Sequence, residues 1–180
     1  MKRLLINVLA FQVGWFSCVI GAANGYPMVG PVVASLVVLL HLLLAYQPRT
    51  ELTLILIAGL AGASFDSLLL QTGWVSYPNG IVLAGLAPYW IIAMWLLFAT
   101  TLNVSLRWLH RNYIAAALLG LIGGPLSYLG GARLGGLVFV DATSAMVALA
   151  VGWAVMMPLL VWASQRHDGM QTHDQVVQHA

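Results

Sequence analysis

Residues 52–71 read LTLILIAGLAGASFDSLLLQ and contain a single ionisable side chain, that of Asp66. A helix of about 20 apolar residues is long enough to cross the hydrocarbon core of a bilayer, which is roughly 30 Å thick. Polar residues bound the stretch, with Arg49 and Glu51 before it and Gln71 at its end. This segment therefore predicts a transmembrane helix.

Five further stretches have the same length and character, and they cover residues 4–23, 29–46, 88–107, 113–134 and 142–164. Of the 180 residues 61% are hydrophobic and only 7% are charged, against about 25% charged in a soluble domain. These figures exclude soluble enzymes and nucleic-acid-binding proteins, which need a dense basic face. The sequence predicts an all-α, polytopic six-helix bundle in one domain, residues 1–164, with a polar cytoplasmic tail at 165–180.

The cations predict the orientation of this bundle. Lys and Arg in short loops stay on the cytoplasmic side of a membrane. On an alternating six-span path, Arg133 alone falls on one side and the other six cations fall on the opposite side, namely Lys2, Arg3, Arg49, Arg107, Arg111 and Arg166. Both termini are therefore predicted to be cytoplasmic, with the lipid bilayer as the main partner.

Asp66 is the first candidate for a functional residue, because an ionisable group inside a membrane is costly unless it is paired or hydrated. Ala63, Gly62 and Gly59 share its helix face, and small residues allow close helix packing. Asp66 should therefore point into the bundle, at a depth where Arg133 could pair with it. Other polar residues of similar depth complete a predicted periplasm-facing pocket: Asn24, Gln71, Ser127, Tyr128 and Asp141. The alternative is a purely structural acid at Asp66 and an Arg133 side chain that reaches the interface.

Aromatic residues lie around this predicted pocket. Residues 72–87 carry no charge and include Trp74, while Tyr89 and Trp90 follow at the start of the fourth span. We expect Trp74, Tyr89 and Trp90 to line an acyl-chain entrance. The segment 72–87 is compatible with a lid over the pocket and equally with a plain interfacial loop.

A second polar layer is predicted nearer the middle of the membrane. It consists of Gln12, His41 and Asn103. A neutral histidine bonded to an amide explains it, and a proton-handling histidine is the alternative.

Motifs for catalysis or cofactors are absent from the sequence. It has no phosphate loop, no dinucleotide fingerprint and no intramembrane histidine pair at metal-ligand spacing. The single cysteine, Cys18, favours a buried thiol. The tail histidines, His167, His173 and His179, favour a solvated tail over a metal site. No metal, cofactor or nucleic acid is predicted.

Several stretches resemble a bacterial inner-membrane family known as domain of unknown function 2878. The resemblance rests on FQVGWFSCV at 11–19, DSLL at 66–69, APYWI at 87–91, ATTLN at 99–103 and the segment 123–135 from GGP to RLG. It implies a multi-pass protein of the Gram-negative inner membrane without an assigned activity. Genes of such proteins often neighbour genes for acyl-chain modification.

Three functions remain open at this point. The first is a lipid-handling accessory of acyl-chain modification, which binds a lipid or small amphiphile near Asp66 and Arg133 and cooperates with a membrane enzyme. The second is a small proton- or ion-coupled transporter or channel subunit, which would need a homo-oligomer for a pore. The third is a membrane scaffold without a substrate.

Overall fold

A computed structural model describes residues 2–171 of the chain. Six α-helices form most of this part: α1 (Lys2–Ala23), α2 (Val29–Leu44), α3 (Pro48–Gln71), α4 (Tyr89–Leu102), α5 (Tyr113–Arg133) and α6 (Ala142–Arg166). A short 3₁₀ helix covers Arg107–Leu109, and two short strands are β1 (Val75–Ser76) and β2 (Val138–Phe139). The all-helical prediction is confirmed, apart from the small antiparallel pairing of β1 with β2.

Four of these helices are long and apolar enough to cross a membrane. They are α1, α3, α5 and α6, with 22, 24, 21 and 25 residues. The other two, α2 and α4, are also apolar, but they have only 16 and 14 residues. These four helices fit a membrane protein, and the count of six spans stays a prediction.

The fourth helix ends earlier than the sequence predicts, at Leu102 instead of about Arg107. The side chain of Asn103 donates to the Glu51 carboxylate at 2.7 Å and to the His167 carbonyl oxygen at 3.1 Å. The Thr100 and Thr101 hydroxyls donate to carbonyl oxygens three residues back, at 2.7 Å each. Such local bonds compete with helix continuation, and the chain turns at Asn103.

Contacts between distant residues define two ends of the bundle. At the first end, which we call the basic end, the Arg3 guanidinium lies 5.8 Å from the centre of the Tyr46 ring, and Glu51 contacts Asn103. At the opposite end, which we call the loop end, Asn79 Nδ2 donates to the Ala22 carbonyl oxygen at 2.8 Å. The helices therefore run alternately between the two ends.

Glycine residues allow neighbouring helices to pack closely. A Cβ atom at Gly120 would lie 2.2 Å from the backbone oxygen of Trp153, so α5 and α6 touch through backbone at this point. A Cβ atom at Gly62 would lie 1.9 Å from the ring of Trp95, so α3 approaches α4 along the small face that carries Asp66. Asp66 is fully buried, as that face predicts.

The predicted boundary between bundle and tail differs from the structure. Helix α6 continues to Arg166, and Gly169 is buried against the start of α3. His167 also packs on the bundle, whereas the predicted tail residues His173 and His179 lie outside the described residues. At least residues 165–170 are thus part of the folded body, because their backbone groups bond to α3 and to Asn103.

Candidate functional site: an apolar cavity beneath a buried carboxylate

A cavity of about 580 Å³ lies between α1, α4, α5 and α6. Its size falls within the range of small-molecule pockets, roughly 300–1,000 Å³. Most of its wall is apolar, and aromatic side chains form a large part of it: Phe11, Trp15, Trp95, Phe98, Tyr128 and Trp153. Trp95 and Trp153 stack with their ring centres 4.7 Å apart. The cavity thus offers an apolar, largely aromatic surface inside the bundle.

The cavity opens sideways between α1 and α5. Near the loop end these two helices are joined, because the Trp15 indole N–H donates to the Ser127 hydroxyl oxygen at 3.2 Å. Towards the basic end, the wall residues Val8 and Gln12 of α1 and Leu119 of α5 are exposed. A molecule dissolved in the surrounding apolar phase would therefore meet the mouth of the cavity on the flank of the bundle.

Asp66 lies behind the loop-end wall of this cavity and accepts three hydrogen bonds. The Tyr128 and Tyr77 hydroxyls donate to Oδ1 at 2.6 and 3.1 Å. The Trp95 indole N–H donates to Oδ2 at 2.7 Å. Since Trp95 and Tyr128 also line the cavity, the carboxyl group fixes the orientation of two wall side chains.

The predicted ion pair between Asp66 and Arg133 is not formed. Arg133 is exposed at the last turn of α5, whereas Asp66 is fully buried. The rotation of α5 turns Tyr128 towards Asp66 and leaves Arg133 outside. Aromatic donors, not a cation, satisfy this carboxyl group.

The segment between β1 and α4 covers Asp66 at the loop end. Tyr77 is buried and reaches down to the carboxyl group. Burial raises the pKa of the Tyr77 hydroxyl well above its usual value, and the neighbouring Asp66 raises it further, so this hydroxyl acts as a donor. The Ala87 N–H donates to the Ser67 hydroxyl oxygen at 2.9 Å. Residues 72–87 thus cover Asp66, but none of them lines the cavity.

Three predicted pocket residues serve local structure at the loop end. Asn24 is exposed and donates to the Ile20 carbonyl oxygen at the end of α1. Gln71 is exposed and donates to the Gly85 carbonyl oxygen at 2.9 Å. Asp141 is the N-cap of α6, and hydrogen bonds from Ser144 hold the pKa of its carboxyl group below the usual range.

The three predicted entrance aromatics lie elsewhere. Trp90 is 1% exposed and donates to the Asn79 carbonyl oxygen at 3.0 Å. The Trp74 side chain is half-buried, and its backbone oxygen accepts hydrogen bonds from the residues that follow β2. Tyr89 is half-buried at the start of α4. None of the three lines the cavity, so the aromatic entrance is wrong in position.

A second buried carboxylate, Glu51, lies at the basic end. It is 0% exposed. Its Oε1 accepts from Asn103 Nδ2 at 2.7 Å and from the Gly169 backbone N–H at 2.8 Å. Its Oε2 lies 2.7 Å from His41 Nε2. The predicted partner of His41 was an amide, and the structure instead places it against this carboxylate.

Residues after α6 close the basic end around Glu51. Arg107 Nη2 donates to both carboxylate oxygens of Asp168, at 2.7 and 2.8 Å. Burial raises the pKa of Asp168, although the Arg107 charge beside it acts in the opposite direction. A Cβ atom at Gly169 would lie 2.3 Å from the Gln47 carbonyl oxygen, so only glycine fits there. This segment ties α3, α4 and α6 together.

Some residues of the cavity and of the two carboxylate centres are predicted from the sequence, and others are not. Tyr128, Ser127 and Gln12 do line the cavity, and Asp66 stands behind it. Glu51, Trp95 and Trp153 were not predicted as site residues. Within residues 2–171 no three His, Cys, Asp or Glu side chains converge on a metal site, and Cys18 is a free, buried thiol.

The chain belongs to the family described as Protein of unknown function (DUF2878), whose model matches residues 4–159. That match contains the cavity, Asp66 and Glu51, but it ends before Asp168. No curated protein and no solved structure matches the sequence.

Proposed function

We propose that this protein is a membrane-embedded lipid-binding protein, which holds an acyl chain in the cavity between α1 and α5. The observation that carries the proposal is the apolar cavity of about 580 Å³ that opens on the flank of the bundle. A chain entering from the bilayer would exchange lipid contacts for contacts with aromatic walls. Such a protein would act as an accessory of acyl-chain modification by presenting the bound chain to a membrane enzyme, with or without a second copy of itself.

The proposal includes six membrane crossings in a bacterial inner membrane. Helices α2 and α4 would extend only about 24 and 21 Å at 1.5 Å per residue. A shorter apolar helix is accommodated by local thinning of the bilayer or by packing, and both pack between longer helices. Six of the seven cations lie at the basic end, which supports cytoplasmic termini.

We predict that a reporter fused after Gln171 is active only as a cytoplasmic reporter, whereas one inserted at Asn79 in the loop-end segment is active only as a periplasmic reporter. The reason is the concentration of cations at the basic end. Paired fluorescent-protein and alkaline phosphatase fusions measure this. Periplasmic activity at both positions would contradict an even number of crossings with cytoplasmic termini.

Transport is less well supported than lipid binding. Asp66 and Glu51 are 15 residues apart on α3, which corresponds to about 22 Å along the helix. Among residues 2–171 no chain of hydrogen bonds joins the Asp66 cluster to His41. A proton or ion path would need such a connection, so the two carboxylates are better described as separate structural centres.

We predict that Gly123→Leu abolishes most lipid retention without destabilising the fold. A Cβ atom at Gly123 would meet only Leu119, at 3.9 Å, and both residues line the cavity. The added side chain therefore fills the space of a ligand, and leucine also favours helix more than glycine does. The measurement is the amount of lipid per protein that survives purification in detergent, determined by mass spectrometry.

Leu118→Phe is the matched control, because Leu118 is on the same helix, 53% exposed and not part of the cavity wall. It should retain as much lipid as the unchanged protein. Equal retention in the unchanged protein and the Gly123→Leu variant, with both folded, would overturn the proposed site.

A further inference from the structure

We infer that the cavity selects an uncharged amphiphile with a hydroxyl head, such as a long-chain alcohol or an acylglycerol, over a fatty acid anion or an anionic headgroup. This inference rests on the proposed function. It names the chemical class of the occupant, which neither the fold nor the family match supplies.

The cavity wall contains no counter-charge for an anion. None of the residues that line it is Lys, Arg, His, Asp or Glu. Arg133 is exposed and outside the wall, and Arg107 is engaged with Asp168. Asp66 behind the wall is an acid and cannot neutralise a second one. An isolated anion in an apolar site loses its hydration without compensation, so a carboxylate or phosphate head is excluded from the interior.

The polar groups of the wall match a hydroxyl. The Ser127 hydroxyl oxygen accepts from Trp15, so its hydrogen remains available to a ligand. The Ser127 hydroxyl thus offers one donor and, through its second lone pair, one acceptor, and an alcohol both donates and accepts.

The position of Gln12 provides a test by charge. Gln12 lines the cavity, is exposed on the mouth side and makes no hydrogen bond within the described residues. A cation introduced there would supply the missing counter-charge. An anion at the same depth would be as costly to insert into the membrane, but its charge would have the opposite sign. Gln12→Arg and Gln12→Glu therefore form a matched pair.

The experiment is a native mass spectrometry titration of the full chain in detergent at mildly alkaline pH, with a monoacylglycerol and the free fatty acid of the same acyl chain. We expect the unchanged protein to bind the monoacylglycerol at least about tenfold more tightly, which corresponds to about 1.4 kcal/mol. Gln12→Arg should reduce or reverse that ratio, and Gln12→Glu should increase it.

The outcomes separate the inference from the proposed function. If the fatty acid binds the unchanged protein as tightly as the monoacylglycerol, or if Gln12→Arg and Gln12→Glu shift the ratio equally, the inference is overturned while lipid binding stands. If neither ligand binds the unchanged protein although it is folded, the proposed function fails as well.

Discussion

Asp66→Ala is expected to destabilise the protein by about 3 kcal/mol or more, because it leaves three buried donors without an acceptor. Tyr77, Tyr128 and Trp95 all donate to this carboxyl group, and Asp66 itself is 0% exposed. Each lost partner leaves a desolvated polar group in the core. The measurement is thermal or urea-induced unfolding in detergent, followed by tryptophan fluorescence.

The Asp66→Asn variant makes the prediction sharper. An asparagine oxygen can still accept from both tyrosine hydroxyls, which share Oδ1. Its amide nitrogen then faces the Trp95 indole nitrogen, which lies 2.7 Å from Oδ2. Indole N–H is a donor only, so two donors meet in this orientation. In the flipped orientation the oxygen accepts from Trp95, but both tyrosine hydroxyl hydrogens lose their acceptor, so we expect a loss of about 2 kcal/mol in either case.

A double-mutant cycle tests this cause directly. With Trp95→Phe the opposing donor disappears, so the combined loss should be smaller than the sum of the single losses by about 1 kcal/mol. Ser64→Ala is the control on the same helix, since Ser64 is exposed and bonds only to its own helix. Additive effects of Asp66→Asn and Trp95→Phe would contradict the donor conflict.

The helices and the burial of Asp66 follow from local sequence, but its partners do not. Runs of about 20 apolar residues predict helices because a helix of that length spans the hydrocarbon core of a bilayer. The glycines beside Asp66 predict that its side chain points into the bundle. The three donors are 11, 29 and 62 positions away along the chain. Their convergence depends on the rotation of α4 and α5, and the same rotation turns Arg133 away.

The cavity and the Glu51 centre escaped the sequence for related reasons. The cavity exists because α1 and α5 meet at Trp15 and Ser127 and separate towards the basic end. No local sequence pattern predicts the distance between two helices. Glu51 lies two positions after Arg49, which is typical of an interfacial residue. Its burial depends on Gly169, which is 118 positions away.

Glu51→Ala is expected to cost about 3 kcal/mol or more, because it leaves three buried groups without their hydrogen-bond partner. Asn103 and the Gly169 N–H lose their shared acceptor, and His41 loses its partner. The segment after α6 should then detach from α3. Limited proteolysis near Asp168, together with unfolding in detergent, measures both effects.

Glu51→Gln, in contrast, should cost about 1 kcal/mol or less, although it makes the same chemical change as Asp66→Asn. The glutamine oxygen can accept from Asn103 and Gly169, which share Oε1, and its amide can donate to His41 Nε2. A neutral imidazole can accept at Nε2 when its hydrogen is on Nδ1, whereas the indole of Trp95 has no such alternative. If Glu51→Gln instead costs as much as Glu51→Ala, Nε2 of His41 must carry a hydrogen, because a protonated ring nitrogen cannot accept from the amide.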